Sequence, residues 1–160
     1  MKTISACIAI LLSGSAFSQP VVSTADFKAA TGSWKGTLTY LDYTSGKPFT
    51  MPAGMVLRVA DREHVILSFD YPKEPNANDN DTIAIKGSEI NDAEVISREN
   101  MEDGGIKIVT EKEGVDGNDN RKALLRHIYI ISKNSFQNAK QVKFEGTDTW
   151  IKRSEYLFSR

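Results

Sequence analysis

Residues 31–40 read TGSWKGTLTY. Trp34 stands between Gly32 and Gly36 where an alternating run begins: Trp34, Leu38 and Tyr40 share one parity, and Lys35, Thr37 and Thr39 the other. Alternation with period two belongs to a half-buried strand. Just upstream, Thr24 to Ala30 (TADFKAA) reads as a short helix, with Thr24 placed to cap it, Asp26 in its first turn and Gly32 to stop it. A large ring at the junction of a short helix and a strand needs somewhere to go, and the rest of the chain must supply it.

Further alternation comes in hairpin-sized pieces. Residues 49–59 put Phe49, Met51, Met55, Leu57 and Val59 on one face. Residues 63–71 put Val65, Leu67, Phe69 and Tyr71 opposite His64, Ser68 and Asp70. More strands are expected at 82–86, 89–98, 106–110, 121–132, 135–145 and 148–159, separated by turns rich in Gly, Asn, Asp and Pro. The stretch from Glu113 to Asn120 reads as one of those loops. Parallel strands would need crossover helices, and no long helical pattern is present. The expected fold is all-β: an antiparallel up-and-down barrel of about eight to ten strands with a short N-terminal helix, because closure removes exposed strand edges.

The chain starts MKTISACIAILLSGSAFSQP. Lys2, the apolar run Ile4 to Leu12, and the small residues Ala16 and Ser18 predict a signal peptide over 1–18, leaving a barrel domain at 19–160. The one cysteine, Cys7, falls inside that segment, so residues 19–160 hold no disulfide. An exported domain without disulfides points to a bacterial periplasm or the extracellular space. No other segment approaches the roughly 18 apolar residues of a membrane-spanning helix. A net charge of −1 with no basic stripe argues against nucleic-acid binding. Nothing in the sequence fixes an oligomeric state.

Gly32-Ser33-Trp34 behind a short helix resembles the G-x-W signature of lipocalin-like (calycin) barrels. The ending WIKRSEYLFSR at 150–160 is similar to the closing strand of small secreted bacterial members of that family, whose function is unassigned. The resemblance implies that Trp34 plugs the closed end of the barrel with a basic residue of the last strand packed across it. Arg153 and Arg160 both fit, and Arg153 is taken as the closure partner. It also implies a ligand inside the barrel. The usual lipocalin disulfide and final helix are absent.

Tyr40, Met55, Phe69, His127 and Tyr129 are the candidate ligand-binding residues, drawn from an aromatic and methionine set that falls mostly on inferred inner faces. The parity of His127 stays open, since Leu125 and Tyr129 lie on its face but Leu124, Ile128 and Ile130 lie on the other. An inward His127 could bond a ligand, pair with Tyr129, or ligate haem, as a single histidine does in some related barrels. His64 falls on a polar face. Asp116, Asn118 and Asn120 have alternate spacing, but an EF-hand loop counted from Asp116 would put Arg121 and His127 where Gly and Glu are required. No catalytic or metal motif appears; a G-x-S-x-G elbow in particular is missing. The leading function is therefore an exported, non-enzymatic binding protein for a small apolar or amphipathic molecule. The alternatives are a barrel enzyme or haem-binding protein using an interior His or Tyr, and an envelope interaction module with a solid core.

Overall fold

A computed structural model describes residues 19–160; the expected signal peptide lies outside the described residues. A 3-10 helix at Thr24–Ala30 leads into ten strands. They are β1 (Gly32–Leu41), β2 (Pro48–Val59), β3 (His64–Asp70), β4 (Asp79–Ala84), β5 (Glu89–Ile90), β6 (Ala93–Asn100), β7 (Ile106–Asp116), β8 (Arg121–Ile131), β9 (Ser135–Phe144) and β10 (Ile151–Ser159). The sheet order is β4-β3-β2-β1-β10-β9-β8-β7-β6-β5, with antiparallel neighbours throughout. Its two end strands meet at a single bridge, Ile85 with Ile90, so the barrel is nearly closed. The expected all-β barrel with a short leading helix is the fold observed.

The inner face is set by register, because directly opposed residues of an antiparallel pair share a side. One row runs Gly36–Phe158–Phe136–Ile131–Ile106. The next runs Leu38–Tyr156–Asn138–Tyr129–Ile108, and the third Tyr40–Ser154–Lys140–His127–Thr110. Apolar side chains fill the first row, and polar ones accumulate in the second and third. The main core lies at the first-row end, where Phe27, Ala30, Leu57, Val65, Leu67 and Phe136 are all but fully buried.

Trp34 is only 3% exposed at this end. Its indole Nε1 donates to the Ala30 carbonyl at 2.7 Å, satisfying one of the orphan acceptors left at the end of the helix. The basic residue across its ring is Arg160, whose guanidinium carbon lies 4.2 Å from the ring centroid. Arg160 also donates to the Ala29, Thr31 and Lys133 carbonyls. Arg153 is not the closure partner. A β-bulge between Lys152 and Ser154 redirects it toward Asp116, where its Nε donates at 2.6 Å. Gly32 has φ +119°, and a Cβ there would lie 3.2 Å from Arg160 Nη1. A Cβ on Gly36 would collide with the Leu157 carbonyl, because β10 crosses β1 closely at that point.

Several boundaries differ from the alternation pattern. The helix is capped from Ser23, whose N–H donates to Asp26 Oδ2 at 3.0 Å, rather than from Thr24. The polar stretch 89–98 contains a hairpin: Asn91 and Asp92 both take left-handed φ (51° and 58°) in a two-residue turn between β5 and β6. Strand β7 continues through the expected loop to Asp116, leaving only residues 117–120 as the turn.

Trp34→Ala should cost about 3–5 kcal/mol, as for a large buried side chain cut to methyl. Gly36→Ala should cost about 1–3 kcal/mol by overpacking against backbone. Urea denaturation of each variant checks both values, and a neutral Gly36→Ala would contradict the close β1–β10 crossing.

Candidate functional site

The second and third rows bring His127, Tyr129, Asn138, Lys140 and Tyr156 onto one interior surface. Strand β8 supplies His127 and Tyr129, with ring centroids 6.2 Å apart in stacked orientation. Strand β10 supplies Tyr156, whose ring stacks on Phe69 of β3 at 4.6 Å. The Tyr156 hydroxyl meets that of Tyr71 at 2.6 Å. Burial, and then the bond to Tyr71, raise the Tyr156 pKa far above the ordinary phenol value. Tyr129 is only 4% exposed, and its hydroxyl makes no hydrogen bond to another described residue. Burial raises its pKa as well, so both phenols are neutral donors at physiological pH.

His127 and Asn138 are diagonal neighbours across β8 and β9. His127 Nδ1 and Asn138 Oδ1 are both buried without a hydrogen-bond partner. Such groups cost about 1–3 kcal/mol each when nothing satisfies them. Desolvation, and then the Lys140 charge, hold the His127 pKa below the ordinary imidazole value; the neighbouring Asn138 side chain opposes them, Lys112 adds a smaller lowering, and Asp81 opposes least. The neutral imidazole offers one donor and one acceptor.

Above the third row, Asp116 at the end of β7 is 3% exposed in its side chain. It accepts from Lys140 Nζ at 2.8 Å and Arg153 Nε at 2.6 Å, and the Tyr43 hydroxyl donates to it at 3.3 Å. Burial alone would raise the Asp116 pKa, but the bonds and charges of Lys140 and Arg153 outweigh it and keep the carboxyl below its usual range. This ion cluster, with Phe144 near Arg153, packs the rim over β7–β10. It also removes Asp116 from the Asn118 and Asn120 turn. Among the described residues, no cluster of three or more His, Cys, Asp or Glu side chains could hold a metal ion.

The five sequence candidates divide. His127 points inward and lies beside Tyr129. Phe69 joins them across the barrel through Tyr156. Met55 is 2% exposed and sits directly opposite Trp34, in the solid core of the closed end. Tyr40 lies at the rim, its ring 5.5 Å from that of the half-exposed Phe49. His64 is on the outer face, its Nδ1 2.9 Å from Asp61. The structure adds Asn138 and Lys140, which sequence reasoning misses, and makes Asp116, weighed from sequence only as a cation-loop residue, the partner of Lys140 and Arg153. Alternation of Phe136, Asn138, Lys140, Val142 and Phe144 along β9 carries the signal that places the first two inside.

A surface groove of about 720 Å³ lies elsewhere, at the rim where β7, β8 and β9 end. Val115, Leu124 and Phe144 line it among the charged Glu113, Lys122, Lys143 and Glu145. It is separate from the His127 layer.

No family model and no curated protein matches the sequence. Among solved structures, the crystal structure of Rv2717c from M. tuberculosis is similar, with TM-score 0.48 and 12% identity over 86% of this chain and 96% of that one.

Asp116→Ala should destabilise the fold by about 3–5 kcal/mol, because it leaves Arg153 and Lys140 without their counter-charge; urea denaturation at pH 7 measures it. The His127 effect has the opposite pH signature to a salt bridge formed by a charged histidine. A depressed folded pKa means that the unfolded chain takes up the proton first as pH falls. Stability is therefore complete above the unfolded value of 6.5 and is lost as pH drops through the folded pKa. His127→Leu should flatten this part of the stability–pH curve relative to wild type.

Proposed function

We propose that the protein binds a small amphipathic molecule inside the barrel, at the layer formed by His127, Tyr129, Asn138 and Tyr156. The single observation that carries this reading is the pair of buried, unpartnered atoms His127 Nδ1 and Asn138 Oδ1 facing the interior. Native interiors satisfy nearly all such groups, and a ligand polar group would satisfy both. The Phe69–Tyr156 stack beside them offers an apolar wall for the rest of the molecule. A barrel of this shape can enclose a small ligand, and the reading adds its amphipathic character and its non-enzymatic fate. The signal-peptide pattern at 1–18 supports a site of action outside the cytoplasm.

The test is native mass spectrometry of protein purified from its own host, followed by titration of the released molecule into wild type and the His127→Leu/Asn138→Leu double variant. A co-purifying molecule is expected, with roughly tenfold weaker binding to the variant for the two lost hydrogen bonds. Folding stability at neutral pH should hold or rise, because two unsatisfied groups are removed. A repeatedly empty protein, or a variant that binds as well as wild type, would overturn the reading.

A further inference from the structure

We infer that the polar group received by the interior layer is an uncharged hydroxyl, which donates its proton to Asn138 Oδ1 and accepts from the ring N–H of His127. The inference rests on the proposed interior site and names the class of its occupant: an amphipathic alcohol, in preference to an acid or an amine.

The two open atoms set the demand. Asn138 Oδ1 is an acceptor, and His127 Nδ1 is a donor in the tautomer that carries the ring proton there. Both atoms are buried, and their side chains are diagonal neighbours on the inner face of β8 and β9. A hydroxyl has one proton to give and two lone pairs to accept with, so a single oxygen serves both atoms. An ether or ketone oxygen brings no proton for Asn138.

The neighbours of the pair disfavour a charge of either sign. On β7, Thr110 lies directly opposite His127, with Ile108 and Lys112 on the diagonals. On β9, Lys140 lies directly opposite, with Asn138 and Val142 on the diagonals. The charged members of this ring are the two lysines, so an ammonium ligand would enter beside like charge. Neither lysine is left open for an anion. Lys140 Nζ donates to Asp116 Oδ1 at 2.8 Å, and Lys112 Nζ donates to the Asn91 carbonyl at 3.0 Å. A carboxylate at the pair would meet the Asn138 oxygen, a second acceptor, and would find one neutral donor in His127. Burying a charge on a single neutral donor costs more than burying a hydroxyl with both of its bonds made. The imidazole itself is neutral, since burial and then the Lys140 charge lower its pKa. The Phe69–Tyr156 stack gives the apolar body of the alcohol a flat wall.

Equilibrium dialysis at about pH 8, where an imidazole is neutral, tests this with probes that share one ring system: naphthylmethanol, naphthoate, naphthylmethylammonium and methylnaphthalene. Wild type should bind the alcohol about tenfold or more tightly than each of the other three. Asn138→Leu should bring the alcohol down to the level of methylnaphthalene, a loss of about tenfold. Methylnaphthalene itself should bind both proteins alike, because it reads only the aromatic wall. Naphthoate or the ammonium binding wild type as tightly as the alcohol would overturn the hydroxyl inference while leaving the interior site standing. An alcohol that binds wild type no better than methylnaphthalene would overturn it too, because the hydroxyl would then go unread. Failure of wild type to bind any of the probes would overturn the interior site and this inference together.

Discussion

The indole N–H of Trp34 bonded to the Ala30 carbonyl, with Arg160 laid across the ring, closes one end of the barrel and anchors the strands stacked behind it. The short helix has no long hydrogen-bond ladder of its own. Its last carbonyls are satisfied from outside, by Trp34 on the first long strand and Arg160 just past the last one. That ties both ends of the barrel domain to one plug. Asp26 adds a third tie, its carboxylate 2.8 Å from Arg98 on β6. The apolar row of Phe158, Phe136, Ile131 and Ile106 then packs behind the plug.

With one end sealed, polarity in the barrel becomes directional. The rows beyond the first carry Tyr156, Asn138 and Tyr129, then Lys140, His127 and Thr110. Much of that polar content is satisfied internally: Tyr71 serves Tyr156, and Asp116 serves Lys140 and Arg153. The remainder is small and local, namely the His127–Asn138 pair. The ion cluster of Asp116, Lys140 and Arg153 covers the rim over β7–β10.

The fold is readable because alternation survives in the long strands, and because the glycines around Trp34 mark a junction. Three features are not. Arg153 sits in a bulge, and a bulge breaks the parity by which a sequence is read, so sequence alone pairs the wrong arginine with Trp34. Gly114 and Asp116 are turn formers by type, yet pairing with Ala123 and Arg121 extends β7 through them. A Cβ at position 114 would meet Leu125 Cδ1 at 2.8 Å, so the glycine there makes room for packing rather than for a turn. His127 cannot be oriented from sequence because the outer face of β8 also carries Leu124, Ile128 and Ile130; only its register with Lys140 and Thr110 decides. The Asn91–Asp92 hairpin is legible in principle, since both residue types tolerate left-handed backbone.

Long-range proton–nitrogen NMR of the two imidazoles, together with backbone amide spectra, recorded with and without the co-purifying molecule, tests the interior site most directly. Ligand bound at the polar layer should shift the ring nitrogens of His127 and leave those of His64, on the outer face, unchanged. Unmoved His127 nitrogens, with shifts confined to Val115, Leu124 and Lys143 at the outer groove, would contradict it.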